Sequence, residues 1–356
     1  MDNLTHSLVG ALLGQMGLKR KTGLAIPTLI MAANIPDIDA VATLLSGHQH
    51  LAIRRGITHG PIAMVMLPLL LWGAVLWFDR WQTKRGTRPD ARFPIHKGWL
   101  LALAFIGCLS HPLFDWFNSY GVRLLEPFSS QWFYGDTLFI VDVWIWIALI
   151  AGIWVSLRRE RRGDDNWEVS AIGAGIFLAG YLAINLGISS YFVSQLVNEQ
   201  RLDKSTNVIA NPVPIAFWKR EMLWESKAGY TSPQIFRTEY SLFQDSKFRA
   251  VGELPGESAD PATIAASAVM DQPIVKLQAE LRKRSPDLDA FLFWSRMPYA
   301  RYEPTDRICK DDCGTFAVFR DARFSSPLVA VRFTVRVKLT KREGYSDHWF
   351  VGNDKQ

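Results

Sequence analysis

Gly60-Pro-Ile-Ala-Met-Val-Met-Leu-Pro-Leu-Leu-Leu-Trp-Gly-Ala-Val-Leu-Trp-Phe78 contains no charged residue. A helix of about 20 mostly apolar residues is what it takes to cross the hydrocarbon of a bilayer. Three later runs have the same character: Gly98–Phe117, Leu138–Leu157 and Ser170–Ser194. Two weaker segments precede them. Leu4–Leu18 is apolar but short, and Leu24–Leu45 carries Pro27, Pro36, Asp37 and Asp39. The pattern predicts a polytopic α-helical membrane domain of about six helices, the first two irregular. The start does not read as a signal peptide, because no basic region precedes its apolar part and Asp2 is acidic.

Beyond about residue 197 the character changes. Residues 1–197 carry 16 Lys+Arg and 13 Asp+Glu, whereas 198–356 carry 24 and 21 in a shorter stretch. Ten of the 14 Trp also lie in the first part. The whole-chain averages, a net charge of +6 and a mean hydropathy of +0.04, conceal this division. The prediction is a transmembrane domain over 1–197 and a polar, soluble α+β domain over 198–356. Strand-like segments in the latter are Ile215–Trp224, Phe236–Phe243, Thr315–Phe319 and Val329–Leu339, with helical periodicity over Pro261–Arg284. The composition excludes disorder, collagen and a disulfide-rich miniprotein. The positive charge is spread over both parts, so no nucleic-acid partner is expected. Cys108 reads as core, and Cys309 and Cys313 are close enough in sequence to bridge in an oxidising compartment.

Basic residues predict the orientation. Lys19, Arg20 and Lys21 lie between the first two segments. Arg80, Lys84, Arg85, Arg88, Arg92 and Lys97 surround the next alternate turn, and Arg158, Arg159, Arg161 and Arg162 follow the fifth helix. All three clusters are expected on the cytoplasmic side, with both termini and the polar domain outside. Arg54 and Arg55 fall on the outer side against the rule.

Titratable residues within membrane segments are costly and mark function by default. Eight occur here: His6, Asp37, Asp39, His59, His111, Asp115, Asp136 and Asp142. On the topology drawn from Lys and Arg alone, all eight fall at the outer side. Three imidazoles with five carboxylates form an O/N donor set for a divalent metal ion, Zn²⁺ first, Mn²⁺ or Mg²⁺ otherwise. His111 and Asp115 are spaced i,i+4 and share one helical face, although Pro112 between them predicts a kink or a break. Asp37 and Asp39 are i,i+2, wrong for one face, and Pro36 predicts an unwound turn that aims both inward. A bound ion there lowers the pKa of its water and generates a nucleophile. Asp37 or Asp39 is then the general base, and Arg55 is placed to neutralise an anionic substrate oxygen. Plainer roles stand beside these: Asp136 caps the fifth helix, Asp142 pairs with Arg123, and His48 and His50 are loop histidines or additional ligands.

Leu4-Thr-His-Ser7, Asn34-Ile-Pro-Asp-Ile-Asp39, Arg55-Gly-Ile-Thr-His59 and His111-Pro-Leu-Phe-Asp115 together form a specific combination. So do Asn118-Ser-Tyr-Gly-Val-Arg-Leu-Leu-Glu-Pro-Phe128 and Trp132-Phe-Tyr-Gly-Asp-Thr-Leu-Phe-Ile-Val-Asp142. This pattern resembles the YdjM-type inner-membrane proteins, a family regarded as metal-dependent hydrolases, over about residues 1–157. The resemblance implies a multi-pass protein of the bacterial cytoplasmic (inner) membrane. The order His, Asp, His, His-x3-Asp is more distantly similar to zinc-dependent phospholipases C and single-strand nucleases. That likeness implies His6, Asp37 or Asp39, His59, His111 and Asp115 as ligands. It departs downstream, where no His follows His111 until His348. Asp136 and Asp142 then substitute, or the site holds one or two ions.

The expected function is a membrane-bound metal-dependent hydrolase acting on an ester or phosphoester of a lipid or membrane-proximal substrate, with the bilayer as its standing partner. The alternatives are an ion or small-molecule transporter using the same Asp/His cluster, and a non-catalytic envelope stress or scaffold protein.

Overall fold

Asp2 opens the first helix by accepting the Thr5 backbone N–H on its side chain, at 3.0 Å. The computed structural model describes residues 1–45, 47–203, 206–226, 234–250, 272–304, 315–324, 331–341 and 349–351. Helix α1 spans Asn3–Gln15 and α2 spans Ala25–Asn34. Pro36 lacks the N–H that would extend the α ladder, and α2 passes into a 3₁₀ stretch, Ile35–Leu44. A short α3 (His50–Ile53) and a 3₁₀ turn (Ile57–His59) lead to α4, Pro61–Lys84. The last three helices of this region are α5 (Lys97–Trp116), α6 (Val143–Arg161) and α7 (Val169–Glu199).

Among the described residues, four helical stretches are long and apolar enough to cross a membrane: Ala25–Leu44, Pro61–Lys84, Lys97–Trp116 and Val169–Glu199. Two expectations shift. Helix α5 runs through Pro112 to Trp116 without ending, so His111 and Asp115 do lie one turn apart on the same helix. The predicted run from Leu138 becomes helical only at Val143. The segment before it pairs back on the end of α5 through the bridges Asn118–Leu138 and Val122–Phe133, and Asp142 then caps α6.

The chain divides into two compact units, 1–40 with 54–192 and 210–220, and 41–53 with 193–209 and 221–356. In the first, α2 packs between α1 and α5, with α4 against α5. Glycines make these approaches close. A Cβ on Gly10 would stand 2.7 Å from the Leu29 carbonyl oxygen, and one on Gly107 would stand 2.6 Å from the Ala32 Cβ. Small residues at helix crossings allow such contact. Around them lie two apolar cores. Leu12, Ile145, Leu149, Ala171 and Leu178 join α1, α6 and α7, while Met64, Leu71, Leu100 and Ala104 join α4 and α5.

Among its described residues the polar region contains two four-stranded sheets. The first has the order β1 (Val208–Pro212), β2 (Lys219–Ser226), β3 (Gln234–Ser241) and β4 (Gln244–Ala250). The second has β5 (Pro298–Pro304), β6 (Thr315–Asp321), β7 (Thr334–Lys341) and β8 (Trp349–Val351), each antiparallel to its neighbour. Helices α8 (Gln272–Arg284) and α9 (Pro286–Trp294) precede it. Trp294 stacks on Phe324 and Phe333, with centroids 5.4 and 4.9 Å away. The segment 41–53 belongs to this unit: the His48 N–H donates to Asp287 at 2.9 Å, and Leu51 is buried. Cys309, Cys313, His348 and the first part of the predicted Pro261–Arg284 helix lie outside the described residues.

Candidate metal centre

Four chain segments contribute to one buried cluster. His6 comes from the first turns of α1, and Asp37 and Asp39 from the 3₁₀ stretch after α2. His59 ends the turn before α4, and His111 and Asp115 lie in the last turns of α5. Among the described residues, two overlapping triads have ligand atoms mutually within 4.8 Å: His6, Asp37 and His111, and His59, His111 and Asp115. His111 Nε2 lies 3.1 Å from His59 Nε2, 3.5 Å from Asp115 Oδ2 and 3.8 Å from Asp37 Oδ1. The His6 ring stacks on that of His111, centroids 3.8 Å apart, and its Nε2 is 3.4 Å from Asp115 Oδ1.

The surrounding hydrogen bonds assign the protons. His111 Nδ1–H donates to the Ala33 carbonyl, 2.6 Å away. Thr58 Oγ1 donates to Asp39 Oδ2 at 2.9 Å, so toward His59 Nδ1, also at 2.9 Å, it accepts. Both histidines therefore hold a proton on Nδ1, and in the neutral rings Nε2 of each directs a lone pair toward the other. Asp115 Oδ2, 3.3 Å from His59 Nε2, is buried without a hydrogen bond, and so are both ring nitrogens of His6. Several nitrogen and oxygen ligand atoms converge on one small volume. A cation is what such a set accommodates, and the imidazole/carboxylate chemistry suits a borderline divalent ion.

Asp39 stands one step out. Its Oδ2 accepts the Arg55 backbone N–H at 2.7 Å and the Thr58 hydroxyl, and so steadies the turn that carries His59. Arg55, at φ 54°, is directed inward. Its Nη2 pairs with Asp115 Oδ1 at 3.0 Å and its Nη1 donates to Asn118 Oδ1 at 3.1 Å, while its face rests on the Tyr120 ring. The Met1 amino group also pairs with Asp115.

Asp136 and Asp142 are not in either triad. Asp142 Oδ1 caps α6 by accepting from the Trp144 and Ile145 N–H groups, and Oδ2 accepts from the Tyr181 hydroxyl. Asp136 sits at φ 46°, and its carbonyl accepts from Ser189. Arg123 pairs with Glu126 at 3.4 Å. His48 and His50 lie in the segment that joins the polar unit, and His96 caps α5. Thr58, the Ala33 carbonyl and Arg54 were not singled out as site groups by sequence. Only their adjacency to His59, Asn34 and Arg55 signalled them.

Apolar helices long enough to span a bilayer, enclosing a His/Asp cluster of this composition, define a membrane protein with a candidate metal-binding centre. The model for the YdjM inner membrane protein family matches residues 1–191, and the chain belongs to that family. It is also 25% identical over 220 residues to the uncharacterized protein YfhP of Bacillus subtilis (strain 168). That alignment covers 60% of this chain and 62% of the relative, so the chain spans under two thirds of its length. No solved structure matches.

Proposed function

We propose that the chain is a membrane-embedded, metal-dependent hydrolase that cleaves an ester or phosphoester of a lipid or membrane-proximal substrate. The observation that carries this reading is the pair of Nε2 atoms on His59 and His111, facing each other 3.1 Å apart beside Asp115 Oδ2. Together with His6 and Asp37 they would hold one divalent ion, for which Zn²⁺ suits the donor set best. Such an ion supplies Lewis acidity and a water of lowered pKa.

The chain's own groups do the rest. Ala33 and Thr58 lock the two imidazoles in the ligating tautomer. Arg55 holds Asp115 in place from the protein side. Asp37, at the edge of the cluster, is the general base, accepting the proton that water loses; Asp39 supports the His59 turn. Burial excludes bulk water from every other side. In this reading the bundle has six membrane helices, with α1 and α6 completing the four apolar stretches. The cluster opens at the outer face, and the polar region lies outside the cytoplasm.

The test is metal analysis of the purified full chain, followed by assay on chromogenic carboxyl and phosphate esters. Wild type should retain about one divalent ion per chain and His111→Ala close to none, with hydrolysis lost in parallel. No bound metal in wild type after reconstitution with Zn²⁺ or Mn²⁺ would overturn the reading.

A further inference from the structure

The cluster contains two adjacent arginines with opposite situations. Arg55 uses both terminal nitrogens on protein groups: Nη1 on Asn118 Oδ1 and the Gly121 carbonyl, Nη2 on Asp115 and the Met1 carbonyl. Its side chain is 6% exposed. It has little left for a substrate.

Arg54 is different. Its hydrogen bond to the cluster runs from Nη2 to Asp37 Oδ1, at 3.0 Å. Its Nε is buried without a hydrogen bond, although Asp39 Oδ1 lies 3.7 Å away. The side chain is 21% exposed, against 4% for Asp37 and Asp39. The guanidinium thus stands between the buried donors and the exterior, touching the carboxylate proposed as base and retaining donors to offer.

Charge points the same way. The side chains of Asp37, Asp39 and Asp115 face those of Arg54 and Arg55 and the Met1 amino group, so the formal charges of the cluster balance. A divalent ion leaves the cluster net positive in a setting shielded from water, where an anion is the complementary ligand. Arginine's planar fork fits the paired oxygens of a phosphate or carboxylate.

We infer that Arg54 is the substrate-binding residue that engages an oxyanion, so the substrate of the site carries a phosphate-like group next to the scissile bond. This rests on the metal-hydrolase reading above and moves to Arg54 the anion-binding role that sequence spacing suggested for Arg55. The shared chemistry covers two sources, an anionic lipid headgroup and a soluble phosphate ester.

The test uses the full chain in phosphatidylcholine nanodiscs, loaded with Zn²⁺, with inorganic phosphate as the probe. Phosphate affinity and metal content are measured on the same samples of wild type, Arg54→Lys and Arg54→Gln. Arg54→Gln should bind phosphate about tenfold more weakly or worse, the ordinary worth of a charge-assisted hydrogen bond. Arg54→Lys should fall between, and metal content should stay at the wild-type level in both. Phosphatidic acid added to the nanodiscs then separates the sources. If it displaces phosphate, the oxyanion belongs to a lipid headgroup; if phosphate still binds, it belongs to a soluble ester. Either result requires the Arg54 contact. Equal phosphate affinity in Arg54→Gln and wild type, with metal retained, would overturn the inference and leave the metal reading standing. Absence of metal in wild type would instead bring down the metal reading.

Discussion

His59 Nε2 and His111 Nε2 face each other at 3.1 Å, and each ring places its proton on the far nitrogen. Two neutral imidazoles gain nothing from this arrangement, because neither nitrogen donates to the other. The contact makes chemical sense when a cation lies among them. Replacing His59 with Ala should therefore cost metal as fully as replacing His111, while leaving the helices folded. Metal content by elemental analysis, with circular dichroism as the fold control, checks this. Full metal occupancy in His59→Ala would exclude it as a ligand.

The Thr58 hydroxyl relays between Asp39 and His59, donating to the one and accepting from the other. Thr58→Val keeps the shape and removes the relay. Outer partners of metal-ligating histidines are worth about 10–100-fold in metal affinity, so Thr58→Val should weaken metal binding by that factor. Thr58→Ser should restore most of it. Competition with a chromophoric chelator measures both. Unchanged affinity in Thr58→Val would show that the His59 tautomer needs no help from Asp39.

Helix packing sets the spacing of the site. A methyl on Gly107 would meet Ala32 Cβ at 2.6 Å and the Leu29 carbonyl oxygen at 2.9 Å, pushing α2 away from α5. Overpacking of this kind costs about 1–3 kcal/mol. Gly107→Ala should lower the thermal midpoint in detergent and also weaken metal binding, since α2 leads directly to Asp37. Gly73, in α4, has open space where its Cβ would stand, so Gly73→Ala is the control and should not destabilise. Equal midpoints for the two variants would mean that the α2–α5 approach is not tight.

In the polar region, Asp321 is buried and accepts from Ser295 Oγ, from the Arg323 backbone N–H, and from Arg323 Nε and Nη2. Burial alone pushes its carboxyl pKa up. The Arg323 guanidinium and the converging donors outweigh this and hold it below the ordinary carboxylate range. The folded pKa is then below the unfolded value of about 3.9. The stabilisation is complete above that value and is lost as the pH falls through the folded pKa. The polar region of the full chain should resist an acid protease down to about pH 4 and lose resistance below it. Asp321→Asn should be weaker near neutrality and show a shallower acid loss. An Asn variant with the wild-type profile would remove Asp321 as the cause.

Much of this architecture is legible in one dimension. Each run such as Gly60–Phe78 reports its own cost of leaving the bilayer, and His111 and Asp115 announce a shared helical face by spacing alone. Asp37 and Asp39 are harder. Two residues apart, they separate in the 3₁₀ stretch: Asp37 joins the His6/His111 triad, and Asp39 steadies Arg55 and Thr58. Which takes which role depends on local backbone geometry after Pro36. Asp142 lies outside the triads because α6 starts at Val143, and the end of the preceding apolar run is set by bridges to the segment after α5.

By itself the sequence determined that apolar helices long enough to span a membrane precede a polar region with strands, together with the family pattern and the residue types of the cluster, all properties of local hydropathy and helical period. Only the tertiary structure decided that His59 and His111 meet nitrogen to nitrogen, that Arg55 is directed inward while Arg54 keeps a donor in reserve, and that residues 41–53 belong with the polar unit. These are contacts between residues far apart in the chain. They depend on how closely Gly10 and Gly107 let α1, α2 and α5 approach, and no local pattern in the sequence encodes that distance.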